Sequence, residues 1–272
     1  MTPKILCRCP HDCREELATA SKYMPVVTST LDVRPGDLVI ARYSAQPFYK
    51  LQETDIGRMG GKLINSFREY QFAADLREWY SRLLQRFTPK TWFRFEDVPR
   101  DGGPFVLKGS TNSRKFLWKT HMYAENFEAA VQVHSRLMQY SLIGDQDIVI
   151  RQYEPLVTLT HDPQGLPITQ EYRFFVYKGE ILSGGYYWSL FPEVPAEISD
   201  PSVVPRDFLA DVVNRVKDDI SFFAFDVAKT VNGGWLVIEI NEGQMSGLSE
   251  NDPNVLYSKL QKIILDSEGA QV

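Results

Sequence analysis

The sequence has few cysteines, no long apolar run and no excess of positive charge. Its 3 cysteines in 272 residues argue against a disulfide-stapled fold and favour a reducing compartment. No apolar stretch approaches the ~18 residues of a membrane span, and the first ten residues lack the apolar segment of a signal peptide. The net charge is −5, which does not favour binding to a phosphate backbone. We therefore expect a cytoplasmic protein that binds neither membranes nor nucleic acid.

Short β patterns alternate with helical patterns along the chain. A length of 272 residues has room for one large domain or two to three small subdomains. Apolar residues at helical spacing predict one helix over Phe72–Phe87, and the Pro- and Gly-rich segment Pro99–Pro104 predicts a loop near a subdomain boundary. We expect an α+β protein with a small N-terminal α/β layer. Its predicted subdomains are 1–90, 91–156 and 157–272.

The most informative segment is the predicted hairpin over residues 222–241. Its turn uses either the Asn-Gly or the Gly-Gly pair of residues 232–234, so Asp226 lies opposite Glu239 in one register and opposite Asn241 in the other. In both registers these three side chains share one face. Two close carboxylates raise each other's proton affinity unless a cation neutralises them, and such oxygen ligands suit Mg²⁺. The alternative is a solvated sheet face that carries acids by chance.

A second candidate site is the segment Phe105–Lys115, a predicted strand that ends in lysine and is followed by small polar residues. Gly109 and the residues after it offer backbone N–H groups, while Lys108, Arg114 and Lys115 add positive charge. Such a loop can wrap the oxygens of a triphosphate. The order of Gly, Lys and Ser/Thr is not that of a Walker A motif, and an ordinary turn is the alternative.

A third candidate is Arg173 on the predicted strand Glu171–Tyr177. A turn at Lys178-Gly179 would place Gly184 opposite Arg173, and glycine would leave space for a ligand beside the guanidinium. The planar guanidinium suits a phosphate or a carboxylate. The alternative is an ordinary salt bridge between Arg173 and Glu171.

Several other segments are candidates for binding. The strand Asp147–Tyr153 emerges into polar residues just before a proline, which suits a hinge whose backbone reads a purine edge. Arg42 and Tyr43 follow a predicted strand, where α/β layers commonly present ligand contacts. Ser246 and Gly247 follow the predicted metal-binding strand and are candidates to face a substrate. For both pairs an ordinary loop role is the alternative.

A cluster of three cysteines and one histidine lies at Cys7–Cys13. It lacks the separated ligand pairs of zinc modules. We therefore expect no bound zinc there.

Together these features resemble the ATP-grasp superfamily over roughly residues 60–250. The resemblance rests on the strand lysine with its small-residue loop, the hinge, the arginine-bearing strand, and Asp226 followed thirteen residues later by Glu-x-Asn. That spacing is similar to the metal-binding segment of ligases such as D-alanine:D-alanine ligase. The segments around Lys108, Arg151 and Arg173 also resemble the eukaryotic cell-division-cycle ATP-grasp proteins that assist translation-factor assembly. The lid departs from the family, because Gly109-Ser-Thr-Asn-Ser replaces the usual glycine-rich pattern.

The resemblance implies an ATP-grasp fold that holds ATP and Mg²⁺ between two subdomains, with Arg173 and Lys115 as catalytic cations. It assigns to ATP the residues Lys108, Ser110, Ser113, Lys115, Gln152, Tyr153, Glu154 and Leu156. It assigns Asp226, Glu239 and Asn241 to Mg²⁺, and we place the substrate near Arg42, Tyr43, Ser246 and Gly247. The implied function is a ligase that activates a small-molecule or peptide carboxylate as an acyl phosphate for attack by an amine. The alternative is a noncatalytic ATP-binding assembly factor.

Overall fold

The computed structural model describes residues 2–8, 14–189 and 195–269. Most of the cysteine and histidine cluster, namely Cys9, His11 and Cys13, lies outside the described residues. The N-terminal layer is a parallel sheet of four strands in the order β2-β1-β3-β4, as expected for an α/β layer. Its elements are β1 (Thr2–Leu6), α1 (Arg14–Ala20), β2 (Val26–Val27), β3 (Asp37–Ala41), α2 (Tyr49–Arg58) and β4 (Lys62–Leu63).

Two helices follow this sheet, α3 (Phe67–Ala74) and α4 (Leu76–Phe87). Ser66 begins α3 with a capping box. Asp75 has an extended backbone, ends α3 and caps α4 by accepting a hydrogen bond from the next helix's first turn. The prediction of one helix over Phe72–Phe87 was therefore wrong, because the aspartate cap interrupts an apolar pattern that continues across both helices.

The second sheet is antiparallel, with strand order β5-β8-β6-β7. Helix α5 packs on it and begins after Asn126, whose side chain accepts from the backbone N–H of Ala129. The apolar faces of this helix and this sheet enclose one core. The elements are β5 (Thr91–Trp92), β6 (Phe105–Gly109), β7 (Tyr123–Ala124), α5 (Phe127–Met138) and β8 (Ile148–Gln152).

The third large sheet is antiparallel, with strand order β12-β11-β13-β14, and a separate hairpin precedes it. Three helices follow or cover this sheet. The elements are the hairpin β9 (Thr158–His161) and β10 (Pro167–Thr169), then β11 (Glu171–Tyr177), β12 (Glu180–Tyr186), α6 (Ala196–Ser199), α7 (Arg206–Val216), β13 (Phe222–Lys229), β14 (Trp235–Glu242) and α8 (Pro253–Gly269). Among the described residues, no helix combines the length and the apolar character that crossing a membrane requires.

Register shifts interrupt both long hairpins of this sheet. In β11 and β12 the shift lies between Phe175 and Val176, so Arg173 pairs with Gly185. The predicted partner Gly184 was wrong, because the extra residue of a bulge moves every later pair by one position. In β13 and β14 the shift follows Asp226, which lies opposite Glu239 as in the first predicted register.

The hydrophobic cores join distant parts of the chain. One core combines α3 and α4 with the third sheet and α7. Another combines the N-terminal layer with the other face of the third sheet and α8. The core under the second sheet contains residues of the range 92–150. Each of the ranges 1–90, 91–156 and 157–272 holds one large sheet, and their division into subdomains stays a prediction.

Candidate active site

Two cavities adjoin each other between the second and third sheets. The large cavity has a volume of about 670 Å³ and the narrow cavity a volume of about 130 Å³. Four residues line both cavities, namely Lys108, Ser113, Lys115 and Glu239. The two cavities therefore meet at a polar junction that combines two cations with one carboxylate.

Lys108 and Glu239 form an ion pair at this junction. Lys108 lies in β6 and is buried, and its Nζ is 2.5 Å from Oε1 of Glu239 in β14. Burial raises the pKa of the Glu239 carboxyl, but Lys108, Lys115 and Arg173 outweigh it and hold this pKa at about 2. The chain's own cations thus neutralise the carboxylates that the sequence suggested would repel each other.

Arg173 and Asp226 form a second, buried pair on neighbouring strands. The Nε and Nη2 atoms of Arg173 each lie 2.8 Å from a carboxylate oxygen of Asp226, which is a bidentate geometry. Asn241 donates from its Nδ2 to Asp226 at 3.2 Å. The predicted set Asp226, Glu239 and Asn241 is therefore brought together, with Arg173 beside it. The alternative pair of Arg173 with Glu171 is not the ion pair that forms.

The glycine opposite Arg173 does not leave room for a ligand. A Cβ built on Gly185 would lie 2.5 Å from the backbone nitrogen of Asn251. Gly185 therefore admits the backbone of residues 250–251. Arg173 itself donates to the carbonyl oxygen of Gly247 at 2.9 Å and lies over the ring of Tyr187, so its guanidinium is fixed on several sides.

Lys115 faces a group of aromatic and acidic side chains. Its Nζ donates to the Tyr187 hydroxyl at 2.8 Å and lies 5.4 Å from the centre of the Trp188 ring. Burial opposes its charge, but Tyr187 and the nearby carboxylates raise the pKa of this ammonium. Burial raises the pKa of the neighbouring Glu171 carboxyl to about 7. One Glu171 oxygen accepts from the Thr169 hydroxyl at 3.1 Å, and the other is buried without a partner.

The narrow cavity has mainly apolar walls with a few polar groups. Its apolar lining includes Trp118, Met122, Tyr153, Leu156, Trp188 and Ile238, and its polar lining includes Gln152 and Glu154. Arg151 also lines it, and burial lowers the pKa of this guanidinium to about 10. The Nε of Arg151 is buried without a partner. Flat polar heterocycles match such a cavity, because they combine apolar faces with polar edges.

The hinge and the loop use several of the backbone N–H groups that were expected to read a ligand. Gln152 donates to the carbonyl of Lys90 and Tyr153 to that of Pro104, so the purine-reading role expected of these two N–H groups was wrong. Ser110 donates to the carbonyl of Asp147 at 2.8 Å. The Thr111 N–H donates to the Gln146 side chain, which leaves residues 112–115 as the part of the loop that borders both cavities.

The large cavity extends to the N-terminal layer. This N-terminal end is lined by Ser44, Gln46, Tyr70, Glu242, Met245 and Ser246. The Glu242 carboxylate accepts from Nδ2 of Asn65, Nε2 of Gln244 and the backbone N–H of Met245 at 2.5, 2.8 and 3.0 Å. Burial raises the pKa of Glu242 to about 7.

Two of the four predicted substrate residues lie on this cavity. Ser246 and Gly247 line it, whereas Arg42 and Tyr43 are not among its described lining residues. Arg42 donates to the carbonyl oxygens of residues 243, 244 and 246 at 2.7–2.8 Å and pairs with Glu16. The expectation that Arg42 faces a substrate is corrected, because its guanidinium holds the loop that carries Ser246 and Gly247.

Several lining residues were not selected from the sequence. Tyr187 and Trp188 follow the Arg173 hairpin, where an aromatic pair at a strand end could have marked a ligand wall. Glu242 follows Asn241 and continues the strand face of Ile240, so a carboxylate on an otherwise apolar face was the available signal. Trp118 follows the polar loop in a short π-helix, which no simple periodicity marks.

Among the described residues, no group of three or more His, Cys, Asp and Glu is arranged to hold a metal. The predicted set includes an amide and so is of a different kind. Its two carboxylates and one amide carbonyl nevertheless match the oxygen ligands of Mg²⁺. The paired cations Arg173 and Lys108 lie against the two carboxylates.

Comparisons with known proteins identify the family. A family model of the ATP-grasp domain, the third family of its clade, matches residues 99–260. No curated protein matches the sequence significantly. The fold is similar to D-cycloserine synthetase DcsG, with a TM-score of 0.61, 12% identity, and coverage of 96% of this chain and 99% of that chain.

Two further solved structures share the fold. The ATP-grasp ligase PsnB, solved with a minimal precursor, gives a TM-score of 0.59 at 13% identity over 95% of this chain and 98% of that chain. The D-alanine–D-alanine ligase of Bacillus anthracis, complexed with ATP, gives 0.53 at 12% identity over 96% and 98%. The resemblance to the eukaryotic cell-division-cycle proteins is not shown by these matches. The expected fold is confirmed, the family supports an ATP-dependent ligase, and the chain belongs to the ATP-grasp family.

Proposed function

We propose that the protein is an ATP- and Mg²⁺-dependent ligase that activates a carboxylate as an acyl phosphate, which an amine then attacks. The observation that carries this proposal is the junction of the two cavities at Lys108, Ser113, Lys115 and Glu239. An apolar cavity for a flat ring opens there into a cavity rich in positive charge. A nucleotide has this distribution of apolar and anionic parts.

The narrow cavity supplies contacts for the base. The rings of Trp118, Tyr153 and Trp188 offer apolar surfaces, and the unpartnered Nε of Arg151 and oxygen of Glu171 offer one donor and one acceptor. Unpartnered buried polar atoms cost free energy. A ring with polar edges that pairs with them is therefore favoured over a purely apolar molecule.

The junction supplies charge for the phosphates. Lys108 and Lys115 are positioned to contact the triphosphate, and the loop of residues 112–115 is positioned to cover it. Mg²⁺ would be held by Asp226, Glu239 and Asn241, and when bound it neutralises charge on the phosphate oxygens. Glu239 has a pKa of about 2, so this ligand is ionised at neutral pH and ready to bind a cation.

Arg173 is positioned to stabilise the phosphoryl group during transfer. In the first step a carboxylate oxygen of the substrate forms a bond to the γ-phosphorus, and ADP leaves. In the second step the amine attacks the acyl carbon, phosphate leaves and the amine loses a proton. Asp226 holds the Arg173 guanidinium by two bonds of 2.8 Å, so this positive charge requires little reorganisation during the reaction.

The substrates are proposed to be a small-molecule or peptide carboxylate and an amine. The similar structures are described as a D-cycloserine synthetase, a ligase complexed with a precursor and a D-alanine–D-alanine ligase. Substrates of both sizes therefore occur among proteins with this fold. The small number of cysteines supports a cytoplasmic location as part of the same proposal.

The test measures ADP release from ATP and Mg²⁺ with a panel of amino acids, peptides and small carboxylates, each with and without added amines. Lys108→Met is expected to weaken nucleotide binding at least tenfold, and Lys22→Met, at an exposed lysine outside both cavities, serves as the control. Unchanged nucleotide affinity in Lys108→Met would contradict the site. ATP binding without ADP release across the whole panel would favour an assembly factor instead.

A further inference from the structure

Charge is distributed unevenly around the large cavity. Its positive lining residues, Lys108, Arg114, Lys115 and Arg173, come from the second sheet with its loop and from β11. At the N-terminal end of the cavity, Glu242 is the one charged residue among the described lining residues. An anionic group is therefore favoured near the junction with the narrow cavity, and a cationic group at the N-terminal end.

We propose that the substrate bound at the N-terminal end carries a cationic nitrogen, and that the Glu242 carboxylate binds it. This inference rests on the proposed ligase function and names the class of substrate for the same cavity. The substrate would be an amino acid or another amine with a free ammonium group. Glu242 would then determine specificity, and the phosphoryl chemistry would take place near Arg173.

The hydrogen bonds of Glu242 support this role. Glu242 is 4% exposed, and its three donors, from Asn65, Gln244 and Met245, are all neutral. Two of these bonds reach Oε1 and one reaches Oε2, while a carboxylate has about four acceptor positions. An ammonium would use the remaining capacity and would neutralise a charge that is costly to bury alone.

The nearest arginine is committed elsewhere. Arg42 binds Glu16 and three backbone carbonyl oxygens beneath the loop, and it does not line the cavity in the described structure. Tyr70 adds an aromatic wall at this end, with its ring stacked on that of Tyr49 at 4.4 Å. Aromatic faces attract cations, so the ring and the carboxylate favour the same kind of ligand.

The experiment measures binding by calorimetry in the presence of Mg²⁺ and a non-hydrolysable ATP analogue. The probes are amino acids, their N-acetyl derivatives and their amides. N-acetyl derivatives keep the carboxylate and lose the ammonium, whereas amides keep the ammonium and lose the carboxylate. Binding of amino acids alone would place the ammonium on the carboxylate substrate, and binding of amides would place it on the amine substrate. Either result supports the proposal.

Two kinds of variant connect the binding to Glu242. Glu242→Gln removes the charge and is expected to weaken ammonium probes at least tenfold. Ser44→Lys places a cation on the exposed rim and is expected to weaken the same probes without disturbing the three hydrogen bonds of Glu242. Ser44→Gln is its neutral control and should bind like the wild type. The Ser44 pair keeps the test decisive if Glu242→Gln fails to fold.

Three results would overturn the inference. The first is that N-acetyl derivatives bind as well as the free amino acids, and the second is that the ammonium probes bind equally well to Ser44→Lys and Ser44→Gln. The third is that no ammonium probe binds at millimolar concentration. Failure of the ligase function is distinguished by separate measurements of ATP binding and ADP release. ADP release driven by carboxylates without an ammonium would keep the ligase function and reject the role of Glu242.

Discussion

Replacing Glu239 by glutamine tests the ion pair at the cavity junction. The substitution keeps the shape of the side chain and removes its charge, so Lys108 loses the carboxylate that lies 2.5 Å from its Nζ. If Glu239 and Asp226 repelled each other in the free protein, Glu239→Gln would stabilise it. The structure predicts the opposite, because each carboxylate is paired with a cation of the chain.

The magnitude follows from the pKa of Glu239. The folded protein lowers this pKa from 4.5 to about 2, which at 1.36 kcal/mol per pKa unit corresponds to about 3 kcal/mol of stability. A depressed carboxyl pKa stabilises the folded state above the pKa of the unfolded chain. We therefore expect the full contribution at pH 7 and its progressive loss as the pH falls from about 4.5 to about 2.

The assay is denaturant unfolding at pH 7 and at pH 3. Glu239→Gln should lower the free energy of unfolding at pH 7 by roughly 2–3 kcal/mol, and the difference from the wild type should shrink at pH 3. The control is Glu180→Gln, at an exposed glutamate near a turn, which should change stability little at either pH. A Glu239→Gln variant as stable as the wild type at pH 7 would refute the reasoning.

Three further predictions concern other parts of the site. Burial raises the pKa of Glu171 to about 7, which disfavours folding progressively as the pH rises above 4.5, so thermal melts of Glu171→Gln should gain on the wild type between pH 5 and pH 8. An equal difference at both pH values would contradict this. Arg173→Lys cannot keep the two parallel bonds to Asp226, and ADP release should fall on the order of 100-fold; a rate within twofold of the wild type would exclude the role. Amide hydrogen exchange of residues 112–115 should slow when ATP and Mg²⁺ are added, whereas equal exchange with and without nucleotide would argue against a lid.

The contact between Asp226 and Glu239 was predictable because it is local. One tight turn and the period-2 alternation of strands place them on one face, and the shift in β13 and β14 lies on the turn side of this pair. The partner of Arg173 was not predictable, because the shift after Phe175 lies between the turn and Arg173. Pairing arithmetic holds only as far as the first bulge.

The pair of Lys108 with Glu239 lies beyond any local pattern, because the two residues are 131 positions apart. The sequence indicated that each is functional, but not that one neutralises the other. Arg42 was misjudged for a related reason. Its position after β3 is one where ligand contacts are common, and only the tertiary structure shows that backbone carbonyl oxygens of a distant loop satisfy its guanidinium.

The shared core of the N-terminal layer and the third sheet has a consequence for how the chain folds. Phe175, Phe222, Leu256 and Leu260 are buried against residues of the range 5–64, and burial of each such side chain contributes about 1.5–3 kcal/mol. A fragment beginning at residue 91 would expose these side chains to water and would be expected to aggregate. The N-terminal layer is therefore part of one cooperative folding unit with the carboxyl-terminal sheet, although the second sheet separates the two in the sequence.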